Sequence, residues 1–184
     1  MNTQLIKYLE AIYPLSEEFK KSLAELIVKK DIGKTEILTQ SKATTSIWLL
    51  EKGLAKGCYD DQYGKEHVTR FWKQGELMLL SYSVTAPIRA DRIVMLEDST
   101  VSTISYAGII FLYHRFGEAA KLSSKILLND RNLSEQRAFL CSLPKAEAYL
   151  EFKRLFPWQR LLHKDIARYL DISRGRLSEI KRNL

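Results

Sequence analysis

The chain has 184 residues, 46% hydrophobic and 28% charged, with a formal net charge of +7. That length suits one large domain or two small ones, and the balance excludes a disordered or fibrous chain. No apolar run approaches the roughly 18 residues a bilayer span needs, and no signal pattern opens the sequence, so a cytoplasmic protein off the membrane is expected. Cys58 and Cys141 lie far apart without CxxC spacing, which speaks against a disulfide framework and against a zinc or iron–sulfur centre.

Two helices are predicted first, over 3–12 and 16–30. Leu5, Tyr8, Leu9 and Ile12 share one face before Pro14 breaks the run. Ser16 is placed to cap the second helix, with Glu17 and Glu18 in its first turn and Phe19, Leu23, Leu26 and Ile27 inward. From Asp31 to about Ser105 the period changes to short β-branched and aromatic runs punctuated by glycine, predicting strands near 35–39, 46–51, 54–60, 66–72, 77–80, 92–97 and 100–105. Gly53 marks one tight hairpin and Gly64 another. Many short strands at regular spacing argue for a sandwich, jelly roll or barrel.

After Tyr106 the period is helical again. Ile109, Ile110, Leu112, Tyr113 and Phe116 form a short helix with Gly117 at its end, and a long helix is predicted over 118–143. Along it Leu122, Ile126, Asn129, Leu133, Gln136 and Leu140 recur at spacings of 4, 3, 4, 3 and 4. Such a seam can lie on a neighbouring domain, or pair with its copy in a homodimer with Asn129 fixing register. Pro144 then stops the helix, and 145–156 form another with Ala148, Tyr149, Phe152 and Leu155 inward.

The end of the chain reads as a helix-turn-helix. From about Leu161 to Leu170, Leu162, Ile166, Ala167 and Leu170 share one side, with His163, Lys164, Asp165 and Arg168 facing away. Ala167 is small where two steeply crossed helices come closest. In the turn, Asp171 tolerates a left-handed backbone, Ile172 plugs the gap and Ser173 caps the second helix. Leu177, Ile180 and Leu184 form its inner stripe, leaving Arg174, Gly175, Arg176, Ser178, Glu179, Lys181 and Arg182 outside. These, with Ser173 and with Lys164 and Arg168 of the first helix, are the candidate DNA contacts. Arg174 can read guanine and Glu179 cytosine, while Arg176, Lys181 and Arg182 suit phosphates. Residues 145–184 carry ten Lys or Arg against five Asp or Glu, so they hold +5 of the net +7. A basic terminal unit fits double-stranded DNA as partner.

The segments Trp48-Leu-Leu-Glu-Lys-Gly53, Asp61-Gln-Tyr-Gly-Lys-Glu66, Phe71-Trp-Lys-Gln-Gly-Glu-Leu77, Leu96-Glu-Asp-Ser99 with Ile104-Ser-Tyr106, and Lys164-Asp-Ile-Ala-Arg-Tyr-Leu170, in this order and spacing, resemble the Crp/Fnr superfamily of transcription regulators, in the style of its Bacteroidetes members. The resemblance covers nearly the whole chain. It implies an α+β fold: a double-stranded β-helix (jelly roll) of the cyclic nucleotide-binding type over 1–117, a connecting and dimerisation helix over 118–143, and a helix-turn-helix domain over 144–184. It implies a homodimer on an inverted-repeat operator, RNA polymerase as a further partner, and a small effector in the roll.

Family members that bind a cyclic nucleotide use a Gly-Glu-Leu segment followed by a short helix and an Arg beside small or hydroxylated residues. Here Gly75, Glu76 and Leu77 match the start, and Arg89 and Ala90 fall where the Arg and its neighbour belong. Glu76 would accept from the ribose hydroxyl and Arg89 would hold the phosphate. The segment 78–88 is longer than usual, and Asp91 would set a negative charge beside an anionic ligand. Three uses of the cassette stay open: cAMP, another small effector, or a structural Glu76–Arg89 ion pair. Catalysis is not expected, because His67, His114 and His163 fall in unrelated segments and no HExxH, GxSxG or GxxxxGK occurs. The alternative to a DNA-binding regulator is a ligand sensor or scaffold whose helix-turn-helix reads no sequence.

Overall fold

A computed structural model describes residues 3–39, 47–79 and 92–184. Helices α1 (Gln4–Ile12) and α2 (Glu17–Leu26) are capped by Thr3 and Ser16, whose hydroxyls accept from the amides of Ile6 and Phe19. Among the described residues eight strands follow: β1 (Val28–Ile32), β2 (Ile37–Thr39), β3 (Ile47–Lys52), β4 (Leu54–Asp60), β5 (Glu66–Lys73), β6 (Leu77–Met78), β7 (Arg92–Met95) and β8 (Ser99–Ile104). They pair antiparallel into two four-stranded sheets, ordered β1-β8-β3-β6 and β2-β7-β4-β5. Then come α3 (Tyr106–Arg115), α4 (Gly117–Ser142), α5 (Lys145–Leu155), a 3-10 turn at Trp158–Arg160, α6 (His163–Tyr169) and α7 (Arg174–Arg182).

Two expectations are corrected. The second helix stops at Leu26, not at residue 30, because Val28–Ile32 pairs residue for residue with Ser99–Thr103 of β8. Strand pairing overrides a helical pattern that Lys29, Lys30 and Asp31 leave weak. Gly117 does not end α3 but opens α4; the break is Phe116, extended at φ −129° and packed against Phe19 with ring centres 5.1 Å apart.

Three apolar cores organise the molecule. Between the sheets lie Trp48, Leu50, Ala55, Trp72, Met78, Ile93, Met95 and Val101. On the outer face of the first sheet, Leu49 and Ile104 meet Leu5, Leu9, Phe19, Leu23, Leu112 and Leu122 from the helices. Strand β3 thus buries alternate residues on opposite faces, which is why Trp48-Leu49-Leu50 is an unbroken apolar run. On the outer face of the second sheet, Leu54, Cys58, Val68 and Phe71 share one core with Leu140, Phe152, Ile166, Tyr169, Leu177 and Ile180 of the C-terminal helices. The roll and the helix-turn-helix are therefore continuous through their interior.

A β-bulge makes that third core possible. Cys58 pairs with Val68 but Gly57 pairs with Arg70, so Thr69 is one residue extra on β5, and its hydroxyl donates to the Gly57 carbonyl at 3.3 Å. Strict alternation would place Val68 and Phe71 on opposite faces. The added residue brings both outward while Trp72 still points between the sheets. At the β3–β4 corner Gly53 has φ +112°, and a Cβ there would lie 2.1 Å from Ser99 Oγ, so only glycine fits.

Candidate nucleic-acid interface and effector pocket

The helix-turn-helix forms where its local signals place it. Asp171 has φ +52°, the Ile172 amide donates to the Ala167 carbonyl at 2.9 Å, and Ser173 Oγ accepts from the Arg176 amide at 3.1 Å. Ala167, Leu177 and Ile180 are buried. Three predicted orientations differ. Leu162 and Leu184 are exposed, because Leu162 lies before the first turn of α6 and Leu184 lies past the last turn of α7, beyond the packed stripe. Asp165, expected outside, is fully buried, because α6 docks on the roll with that side.

On α7, Arg174, Gly175, Arg176, Ser178 and Arg182 are exposed, Glu179 and Lys181 half-exposed. Ser178 Oγ donates to the Arg174 carbonyl at 3.0 Å. Arg176 pairs with Glu179 at 2.7 Å, one turn apart, so a candidate phosphate contact occupies the candidate reader of cytosine. Lys181 contacts His163 across the pair of helices. Lys164, Arg174 and Arg182 have no ion-pair partner among the described residues and form the free positive face.

Behind that face, α6 is tied to β4 and β5 by charge. Lys56, only 5% exposed, donates to Asp165 Oδ1 at 2.9 Å and to Glu66 Oε1 at 2.8 Å. Burial opposes the charge on Lys56, but these two carboxylates outweigh it and hold its pKa above the ordinary lysine value. Glu66 also accepts from Arg168 at 2.5 Å and Arg92 at 3.1 Å, and Arg92 grips both oxygens of Asp60 at 2.7 and 3.0 Å. For Glu66 too, burial is overcome by its cations, Lys56 first, and its pKa lies below the usual carboxylate value. Sequence reasoning found Arg168 but not its partner. Lys56 stands 109 residues from Asp165, and nothing local links them. A second tie is Arg160, which holds both oxygens of Glu97 before the β7–β8 turn closes.

In the roll, Gly75 takes φ +86° and its amide donates to the Leu50 carbonyl at 2.7 Å. That turn aims Glu76 back at Lys73, whose amide it accepts at 2.9 Å. Burial raises the Glu76 pKa despite this bond. Leu77 is buried in the helical core. Beside Glu76 opens a pocket of about 230 Å³ bordered by Tyr8, Ile126, Asn129, Asp130 and Leu133. Burial and the Glu76 charge together raise the pKa of Tyr8. Arg89 and Ala90 lie outside the described residues.

The predicted seam of α4 divides along its length. Leu122 and Leu140 are covered by the chain itself, Ile126 and Gln136 are half-buried, and Asn129 and Leu133 are exposed. Uncovered beside them stand Leu128, 57% exposed, and Phe139, 60% exposed. Among the described residues no His, Cys, Asp and Glu cluster could hold a metal ion, and no helix is long and apolar enough to cross a membrane.

No family model and no curated protein matches the chain. Solved structures do match. A putative transcriptional regulator of the Crp/Fnr family from Eubacterium rectale superposes with a TM-score of 0.70 at 15% identity, covering 96% of this chain and 87% of that one. FixK2 from Bradyrhizobium japonicum gives 0.69 at 15% identity, over 86% and 84% of the two chains. CLP from Xanthomonas campestris, a c-di-GMP-responsive global regulator, gives 0.67 at 12% identity, over 91% of each. In both its jelly-roll half and its helix-turn-helix half, joined by one long helix, the chain has the fold of the Crp/Fnr regulators.

Proposed function

We propose that this protein is a DNA-binding transcription regulator of the Crp/Fnr type. The observation that carries the reading is the positive face of the helix-turn-helix: a capped recognition helix with Arg174 and Arg182 unpaired among the described residues, and Lys164 exposed on the helix before it. Arg174 is the base-reading residue, suited to the two acceptors of guanine, and Gly175, Ser173 and Ser178 let the backbone approach. Lys164, Lys181 and Arg182 contact phosphates. Arg176 reaches a phosphate and Glu179 a cytosine only once their mutual ion pair opens.

A homodimer through α4 would set two such helices about 34 Å apart on an inverted repeat. Since Leu122 and Leu140 are spent inside the chain, the pairing face combines Asn129, Leu133 and Gln136 with Leu128 and Phe139. Light scattering is expected to give the mass of two chains; a monomer would remove this part of the reading. The pocket beside Glu76 borders both the roll and α4, which suits a small hydrogen-bonding effector that shifts the dimer between two geometries. RNA polymerase is the protein partner such a regulator would meet on DNA.

The test starts from a duplex selected out of random sequence. Arg174→Ala should weaken that duplex by about 1–3 kcal/mol while unrelated DNA is bound as before. Equal weakening on every sequence would reduce Arg174 to a phosphate contact, and failure of the unaltered protein to bind any duplex would refute the DNA reading.

A further inference from the structure

The charge cluster between roll and reader has a specific composition. Among the described residues it holds three cations, Lys56, Arg92 and Arg168, and three carboxylates, Asp60, Glu66 and Asp165. Glu66 is the hub, touching all three cations. The cations are unequal. Lys56 is buried and keeps Asp165 as a second partner; Arg92 is held by both oxygens of Asp60. Among the described residues Arg168 has beyond Glu66 one further ion pair, Asp165 at 3.9 Å, through an oxygen already used by Lys56, and it lies in the field of Asp60, whose two oxygens Arg92 holds. It is also the most exposed of the three, at 31% of its side chain. Along α6 it follows buried Asp165 by three residues and exposed Lys164 by four, so it stands on the border between the docked side and the free positive face.

We infer that Glu66 is a latch on DNA affinity: it withholds Arg168 from the sugar-phosphate backbone, so that displacement of the β4–β5 hairpin adds a phosphate contact beside Lys164. This rests on the DNA-binding reading above. Arg168 holds Glu66 through Nη1 alone, and a phosphate can accept both prongs of a guanidinium, so the released side chain gains a partner at least as well matched. The sensor thus sets how many phosphates the reader neutralises, apart from any change in dimer geometry. Glu66 is a positioning residue, acting on DNA only through Arg168.

The experiment is the salt dependence of binding to a mixed-sequence duplex, read by fluorescence anisotropy with the full chain, alongside thermal melts. Each phosphate neutralised contributes about −0.9 to the slope of log K against log salt. Glu66→Gln should steepen the slope by about 0.9, and Arg168→Gln added to it should take that gain away. The decisive comparison is between backgrounds: Arg168→Gln must change the slope more when residue 66 is Gln than when it is Glu. Equal changes in both overturn the latch, and so does a Glu66→Gln slope equal to that of the unaltered protein. In either case the protein still binds DNA and its general reading stands, whereas an unaltered protein that binds no duplex at any salt brings down that reading itself. If Glu66→Gln melts without a cooperative transition, Glu66→Asp replaces it: one oxygen, Oε1, meets both Lys56 and Arg168, and a carboxylate one carbon shorter loosens its hold on the more exposed of the two, Arg168, which solvent and phosphate can reach. A steeper slope is again expected, and an unchanged one overturns the inference.

Discussion

Lys56→Met should lower the melting temperature by about 6–20 °C, a loss of about 3–5 kcal/mol spread over a chain of this size. The reason lies in what remains. Asp165 has no exposed surface, and without Lys56 its nearest cation is Arg168 at 3.9 Å. A carboxylate taken out of water without a hydrogen-bonding cation is among the most destabilising groups an interior can hold. The reverse truncation is milder, because after Asp165→Leu the Lys56 ammonium still has Glu66 at 2.8 Å. Adding Asp165→Leu to Lys56→Met should recover most of the stability, since apolar replacement of a whole buried pair is often neutral. A double variant no more stable than Lys56→Met would show that the pair contributes packing and not charge.

Phe152→Ala should cost about 3–5 kcal/mol, the usual range for emptying a large aromatic site. Phe152 is fully buried, with ring centres 4.8 Å from Phe156, 5.5 Å from Tyr169 and 5.9 Å from Phe71 on β5. Its neighbours come from helices and from the roll alike, so there is no single element that can collapse into the gap. The signature that matters is the shape of the urea transition. Because the core is shared, roll and helix-turn-helix should unfold together at a lower midpoint. Two separated transitions in the unaltered protein would mean that the third core does not couple them.

What local chemistry encodes was readable from the chain. Asp171, Ser173 and the spacing of Leu177 and Ile180 act within a few residues of one another, and they place the turn and helix α7 without any knowledge of the rest. Gly53 and Gly64 likewise announce hairpins through their own backbone needs. Features made by distant partners were not readable. Strand β1 carries Lys29, Lys30 and Asp31 on exposed positions and becomes a strand only because β8 lies beside it. Asp165 looks like a surface residue of an amphipathic helix until Lys56 is brought under it. Nor does any pattern in β5 reveal that Thr69 is surplus, since a bulge is defined by the opposing strand. The seam on α4 was legible as a period but not as a direction, because a period of 3.5 says nothing about whether the chain or its copy fills the groove.

The surplus residue Thr69 bears on how such proteins can be recombined. A roll that merely carried its helix-turn-helix on a hinge could be exchanged like a cartridge. Here the offset turns Val68 and Phe71 toward the C-terminal helices, so a roll grafted onto another helix-turn-helix would show water an apolar patch including Leu54 and Cys58 as well. The two halves of this chain are therefore a matched pair, and new combinations of roll and helix-turn-helix would have to change the outer face of β4 and β5 together with the helices that cover it.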